Sequence, residues 1–243
     1  MEIKTTKGAG VDRLKVLIHG PPGIGKTRLA ATTGDLPGTL VLSAEGGLLS
    51  LRDHDIRAVE VGAGADGWAT IEAVANAVTT RSIPDVRWLV IDSISEIAEV
   101  LLTVEKGKTA DPRKAYGEMG DRILKLIRQL RDAPAHVVMV AKQGRPEIEG
   151  MAPLFAPVMP GKALASGLSY LFDEVFAMML VESPGKPPSP GLLTQRTLTH
   201  EAKDRSGSLA LYERPNLAKI AAKIAAPRVS PTVATVADSN KEN

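Results

Sequence analysis

Short apolar runs recur along the chain as LKVLIH (14–19), TLVLS (39–43), RWLVID (87–92) and HVVMVA (136–141). Each is nearly continuous in hydrophobicity and rich in β-branched residues, the pattern of a strand buried on both faces of a parallel sheet. Helical spacing lies between them. In 66–80 the positions Ile71, Val74, Ala75 and Val78 share a face, and in 118–131 Met119, Ile123, Ile127 and Leu130 form one stripe. This alternation predicts an α/β fold, a mostly parallel central sheet flanked by helices.

The rhythm changes after residue 141. A loop rich in Gly and Pro (144–162) leads to a helical stretch near 162–170, and then DEVFAMMLVE (173–182) and LLTQRTLTHE (192–201) flank the turn SPGKPPSPG. Two extended runs around such a turn predict an antiparallel hairpin that extends the sheet at its C-terminal side. A short helix at 216–225, with Leu217, Ile220 and Ile224 on one side, closes the domain. From Pro227 the chain is polar and aperiodic, which predicts a disordered tail. The expected organisation is an N-terminal extension (1–12), one α/β domain (13–226) and the tail (227–243). No internal repeat is visible.

Composition narrows the function classes. Aromatics are 3% of the 243 residues and scattered, which disfavours a platform of stacked aromatics. Thirty basic against 28 acidic residues give a net charge of +2, too slight to announce nucleic acid, so local patches must carry that argument. There is no cysteine, hence no disulfide framework or thiolate metal site. The four histidines share no metal-ligand spacing. No apolar run is long enough to span a membrane and MEIKTTKGAG lacks a signal-peptide core, so a soluble cytoplasmic protein is expected.

The most specific signal is GPPGIGKT at 20–27, which fits G-x-x-x-x-G-K-[ST] at every position. A glycine-rich turn that opens a helix offers backbone N–H groups and a helix dipole to phosphate oxygens. Gly20, Pro21, Pro22, Gly23, Ile24, Gly25, Lys26, Thr27 and Arg28 are therefore the expected ATP cradle. Within it Lys26 reaches the β and γ phosphates, and Thr27 ligates Mg2+. Asp92, at the tip of RWLVID, is the second expected metal-shell residue. Many AAA-type and helicase ATPases place a catalytic Glu directly after this Asp, but here Ser93 follows. Glu45, just beyond TLVLS in LVLSAEGG, supplies an acid at the carboxyl end of a neighbouring strand and becomes the candidate for orienting water.

GPPGIGKT, SAE after the second strand and LVIDS without a following Glu together resemble the RecA-like recombinase ATPases. More narrowly, the length, the MPGKALASGLSYLFDEVFAMML region and the EAKDRSG ending resemble the core-only RecA-like ATPases of bacteriophages, which include single-strand annealing recombinases. The resemblance implies that Glu45 activates water and that Gln143, in AKQGR, senses the γ-phosphate. It implies further that Lys203 and Arg205, two apart in AKDRSG, reach the nucleotide of a neighbouring subunit in a head-to-tail ring or filament.

Two segments are candidates for touching single-stranded DNA. One is a loop over 104–122 with Lys106, Lys108, Arg113 and Lys114, the other 142–162 with Lys142, Arg145 and Lys162. The expected function is ATP-dependent pairing or annealing of homologous strands, with a single-strand-binding protein as a possible companion. The alternative is a P-loop ATPase that loads or remodels a replication protein without pairing DNA itself.

Overall fold

A computed structural model describes residues 13–145 and 153–226. The expected extension (1–12) and tail (227–243) lie outside the described residues, as does 146–152 within the second basic segment. The four apolar runs each form a strand. In chain order the elements begin with β1 (Lys15–His19), β2 (Thr39–Ser43) and β3 (Arg57–Glu60), followed by α1 (Gly64–Thr79) and β4 (Trp88–Asp92). Then come α2 (Ile94–Lys108), α3 (Pro112–Arg131), β5 (His136–Gly144), β6 (Ala156–Val158) and α4 (Lys162–Leu168). The C-terminal part adds β7 (Glu174–Ser183), β8 (Lys186–Leu193), β9 (Lys203–Asp204), β10 (Tyr212–Glu213) and α5 (Leu217–Ala225).

These strands form one ten-stranded sheet in the order β10-β8-β7-β1-β5-β4-β2-β3, with β6 paired to β5 and β9 to β7. From β7 to β3 every neighbouring pair is parallel, whereas β6, β8, β9 and β10 pair antiparallel. The expected fold class is thus the observed one: an α/β core with a mostly parallel central sheet flanked by helices and an antiparallel C-terminal extension. Period-two alternation divides the core between the two faces. Leu17, Leu42, Leu89, Ile91 and Met139 point to the side covered by α1, α2 and α3. Val16, Ile18, Val41, Val90 and Val138 point to the other side, where Leu29, Leu217 and Ile220 cover them. Each such buried aliphatic contributes roughly 1.5–3 kcal/mol.

Three expectations need correction. The segment 104–122 is not a loop. Lys106 and Lys108 lie in the last turn of α2, where cations suit the helix dipole, and Arg113 and Lys114 in the first turn of α3. Only Thr109–Asp111 separate them, because the Asp111 side chain caps α3 by accepting from the Arg113 N–H (2.9 Å) and Pro112 takes its first position. Second, the hairpin is displaced. β8 runs through KPPSPGLL, pairing Ser183 with Lys186 and Ala177 with Leu193, and residues 194–201 leave the sheet. Prolines are tolerated there because β10 pairs only with Leu192 and Leu193, so β8 is an edge strand over its proline-rich part. Third, the helix expected after GPPGIGKT is a 3-10 helix of six residues, Thr27–Thr32, ended before Gly34 at φ 74°.

Candidate nucleotide-binding and hydrolysis site

β1 delivers the chain to Gly20 at the carboxyl end of the parallel strands. A Cβ at Gly20 would stand 2.6 Å from the Met178 carbonyl oxygen, so the turn packs against β7 only with glycine at this position. Gly23 (φ 75°) and Gly25 (φ 106°) carry the turn through backbone angles that side chains disfavour. Lys26 Nζ donates to the carbonyls of Gly20 (2.8 Å) and Pro21 (2.9 Å). Burial lowers the Lys26 pKa, opposed by the nearby Glu45 and Asp92 carboxylates.

Thr27 and Asp92 meet. The Thr27 hydroxyl donates to Asp92 Oδ2 at 2.6 Å, although the two are 65 residues apart. Asp92 is 2% exposed, and burial raises its carboxyl pKa against the lowering effect of the Thr27 bond, with the Glu45 charge pushing it further up. Gly47 stands beside this pair: a Cβ there would lie 3.3 Å from Thr27 Oγ1 and 3.5 Å from Asp92 Oδ2. A hydroxyl and a carboxylate side by side, in a space that a side chain at 47 would fill, fit Mg2+. Thr27 and Asp92 would hold it, and it would supply charge neutralisation at the phosphates.

Glu45 reaches the same place from β2. The register Ser43↔Asp92 brings the ends of β2 and β4 together, and the N–H groups of Ala44 (2.7 Å) and Glu45 (3.3 Å) both donate to the Asp92 carbonyl. The Glu45 carboxylate accepts a hydrogen bond from Ser93 Oγ. Ser93 was not singled out as a functional residue by sequence reasoning. The signal was available, since SAE and IDS end adjacent strands.

β5 lies between β1 and β4, so Gln143 emerges between the phosphate loop and Asp92. Its Oε1 sits 3.1 Å from His19 Nδ1, and His19 Nε2 donates to the Glu201 carbonyl at 2.8 Å. Beside the loop tip a cleft of about 580 Å³ is walled by Pro21, Ile24, Gln143, Phe155 and His200, among others. At its rim Arg145 lies 4.0 Å over the Phe155 ring, which stacks on His200 at 4.8 Å. Scarce aromatics therefore still supply one small stack.

The remaining candidates lie elsewhere. Lys203 is on β9, paired with the start of β7, and its ammonium donates to the carbonyls of Ser169 and Phe172. Arg205 bonds Asp173 at 2.6 Å but keeps 62% of its side chain exposed. Lys108 pairs with Glu105, Lys142 with Glu96, and Lys106 sits 5.5 Å over the Tyr116 ring. Arg28, Arg113, Lys114 and Lys162 are exposed. Among the described residues, no group of three or more His, Asp or Glu side chains is arranged to hold a metal ion, and no helix is long and apolar enough to cross a membrane.

A family model designated AAA_24 and described as an AAA domain matches residues 12–206, from before β1 to beyond β9. The chain belongs to this family. The AAA-domain match and the complete phosphate-loop motif identify a P-loop ATPase, although serine replaces the Glu that many AAA-type ATPases carry after the Asp. No curated protein matches the chain. Among solved structures it is similar to a prototypical ATPase from the type III secretion system of pathogenic bacteria, with 12% identity and TM-score 0.46, over 68% of this chain and 51% of that one. It is also similar to the KaiC-like protein PH0186 from Pyrococcus horikoshii OT3, with 18% identity and TM-score 0.45, over 73% of this chain and 77% of that one. The AAA-domain chain thus spans about half the length of the secretion ATPase.

Proposed function

We propose that this AAA-domain protein is an ATP-dependent, single-stranded-DNA-binding recombinase ATPase that promotes annealing or pairing of homologous strands, as in phage recombination within a bacterial cytoplasm. The observation that carries the hydrolytic part is the meeting of Thr27, at the end of the phosphate loop, Asp92, at the end of β4, and Glu45, just beyond β2. In the proposed reaction a water oxygen bonds the γ-phosphorus and the bond to the β–γ bridging oxygen breaks. ADP leaves with that electron pair, and the water's proton passes to the Glu45 carboxylate. Lys26 and the loop N–H groups hold the phosphates, and Gln143 reads the terminal one.

The DNA part rests on the resemblance to the phage ATPases and is supported by the exposed Arg113, Lys114 and Lys162 and by the Arg145–Phe155–His200 stack, which offers one face for a base. In a head-to-tail assembly a cation of the next subunit would stabilise charge at the γ-phosphate only when the interface is closed. Arg205 suits that role better than Lys203, whose ammonium is held on two carbonyls.

The second reading is a loader or remodeller of a replication protein. It is favoured by the ion pairs that occupy Lys108 and Lys142, which leave fewer cations for a phosphate backbone. Mobility-shift titrations on single- and double-stranded DNA, with and without ATP and beside Lys26→Ala, separate the two. Nucleotide-dependent preference for the single strand is expected. Indifference to DNA, with ATPase stimulated by a protein partner, would replace the recombinase reading with the loader.

A further inference from the structure

We infer that Ser93 is a positioning residue for Glu45, fixing which carboxylate oxygen is left to take the proton of the attacking water. The inference rests on the proposed role of Glu45. Ser93 is 0% exposed, and its Oγ accepts the Glu96 N–H at 3.2 Å as the N-cap of α2. A serine hydroxyl has a single proton. With α2 donating to its oxygen, that proton is directed to Glu45 Oε1, as observed. Oε2 is left for water.

The main chain makes the arrangement specific. Glu45 is an exposed residue on the turn after β2, where a glutamate would ordinarily sample several rotamers. Here its N–H and that of Ala44 hang from the Asp92 carbonyl, while its carboxylate hangs from the Ser93 hydroxyl. The dipeptide Asp92–Ser93 therefore sets both ends of the acid, and the same Asp92 carboxylate meets Thr27. Where other ATPases carry the catalytic acid at this sequence position, this chain carries the group that holds an acid brought in from the next strand. Displacement of a reacting group by about 1 Å can cost on the order of 10²-fold in rate.

The test is steady-state ATP hydrolysis and fluorescent-nucleotide affinity for Ser93→Ala, Ser93→Gly, Ser93→Thr, Glu45→Gln and Ser93→Ala combined with Glu45→Gln. Glycine is included because it fills an N-cap at small cost yet has no hydroxyl. Alanine and glycine are expected to lower kcat roughly 10- to 100-fold with nucleotide affinity changed less than about threefold, and threonine, which keeps the hydroxyl, to rescue turnover. Removing Ser93 from the Glu45→Gln protein should cost nothing further, because the group it positions is already disabled. Normal kcat in both hydroxyl-free variants, or an Ala defect that persists undiminished beside Glu45→Gln, would overturn the inference and leave Glu45 in place. Full turnover in Glu45→Gln alone would instead remove Glu45, and the inference with it.

Discussion

Glu174, at the start of β7, is 1% exposed; its Oε1 accepts the Ser206 N–H at 3.1 Å, and its Oε2 has no hydrogen-bond partner. Burial, reinforced by the charge of Asp204 facing it across the β7–β9 pair and by Asp173, pushes its pKa from 4.5 to about 8. Lys203, the neighbouring cation, has its ammonium held on the Ser169 and Phe172 carbonyls. Between pH 4.5 and about 8 the unfolded chain has released this proton while the folded chain keeps it, so stability falls with rising pH. The slope is about 1.4 kcal/mol per pH unit. The contribution is fully present below pH 4.5 and fully lost above about 8, a total of roughly 4 to 5 kcal/mol. Glu174→Gln keeps the shape and the acceptor for Ser206 and removes the titration. Urea denaturation of both proteins from about pH 5 to 9 should show the variant's advantage growing by about 1.4 kcal/mol per unit and levelling near 8. A difference that stays constant across that range refutes the reasoning.

Three further outcomes are expected. Glu45→Gln should retain ATP yet lose turnover on the order of 10²-fold or more, read by nucleotide binding beside phosphate release; near-wild-type turnover would dismiss Glu45 as the water-positioning acid. Gly20→Ala should lose about 1–3 kcal/mol in denaturant titration, because its methyl would stand 2.6 Å from the Met178 carbonyl; unchanged stability would mean that β7 gives way without cost. Arg122→Ala should lose roughly 1–3 kcal/mol. The guanidinium bonds the buried Glu105 and lies 4.7 Å over Trp68, and Lys108 alone cannot replace both contacts. Equal thermal midpoints for that variant and wild type would show that the α1–α2–α3 packing does not depend on it.

The central strands were legible because both faces of each are buried, leaving nearly continuous apolar runs at β1, β2, β4 and β5. β3 escaped notice because it is the edge strand: in RAVE, Arg57 and Val59 are half-buried while Ala58 and Glu60 are exposed. α2 and the start of α3 were misread because Gly107, Pro112 and the surrounding charges look like a loop. Asp111 followed by Pro112 is itself a helix-start signal, and it prevails once Leu101, Leu102, Ala115 and Met119 are buried in one cluster. At β8 the prolines read as a turn, although an edge strand tolerates their missing N–H groups. In the site, Thr27 follows from motif spacing and Asp92 from being an acid at the tip of an apolar run. The Ser93–Glu45 and His19–Gln143 contacts depend on which strands are neighbours, information that a single strand does not carry.

The first turn of α2 joins the two regions proposed to bind nucleotide and DNA. Ser93 holds Glu45, and Ser95 Oγ accepts the Lys142 N–H (3.0 Å) while donating to the Val158 carbonyl (2.6 Å). Glu96 pairs with the Lys142 ammonium, one residue before Gln143. Three residues of one helical turn thus tie Glu45, the proposed catalytic acid just beyond β2, to the end of β5 and to β6, which belong to the second basic segment. Ser95 is buried and satisfied on both sides, so β6 cannot shift relative to β5 without breaking its bonds to α2. A displacement of β6 that strains these bonds also bears on the turn that sets Glu45. If the second basic segment binds DNA as proposed, α2 offers a physical route by which it would bear on Glu45, and the ion pair at Lys142 belongs to that route rather than to a phosphate contact.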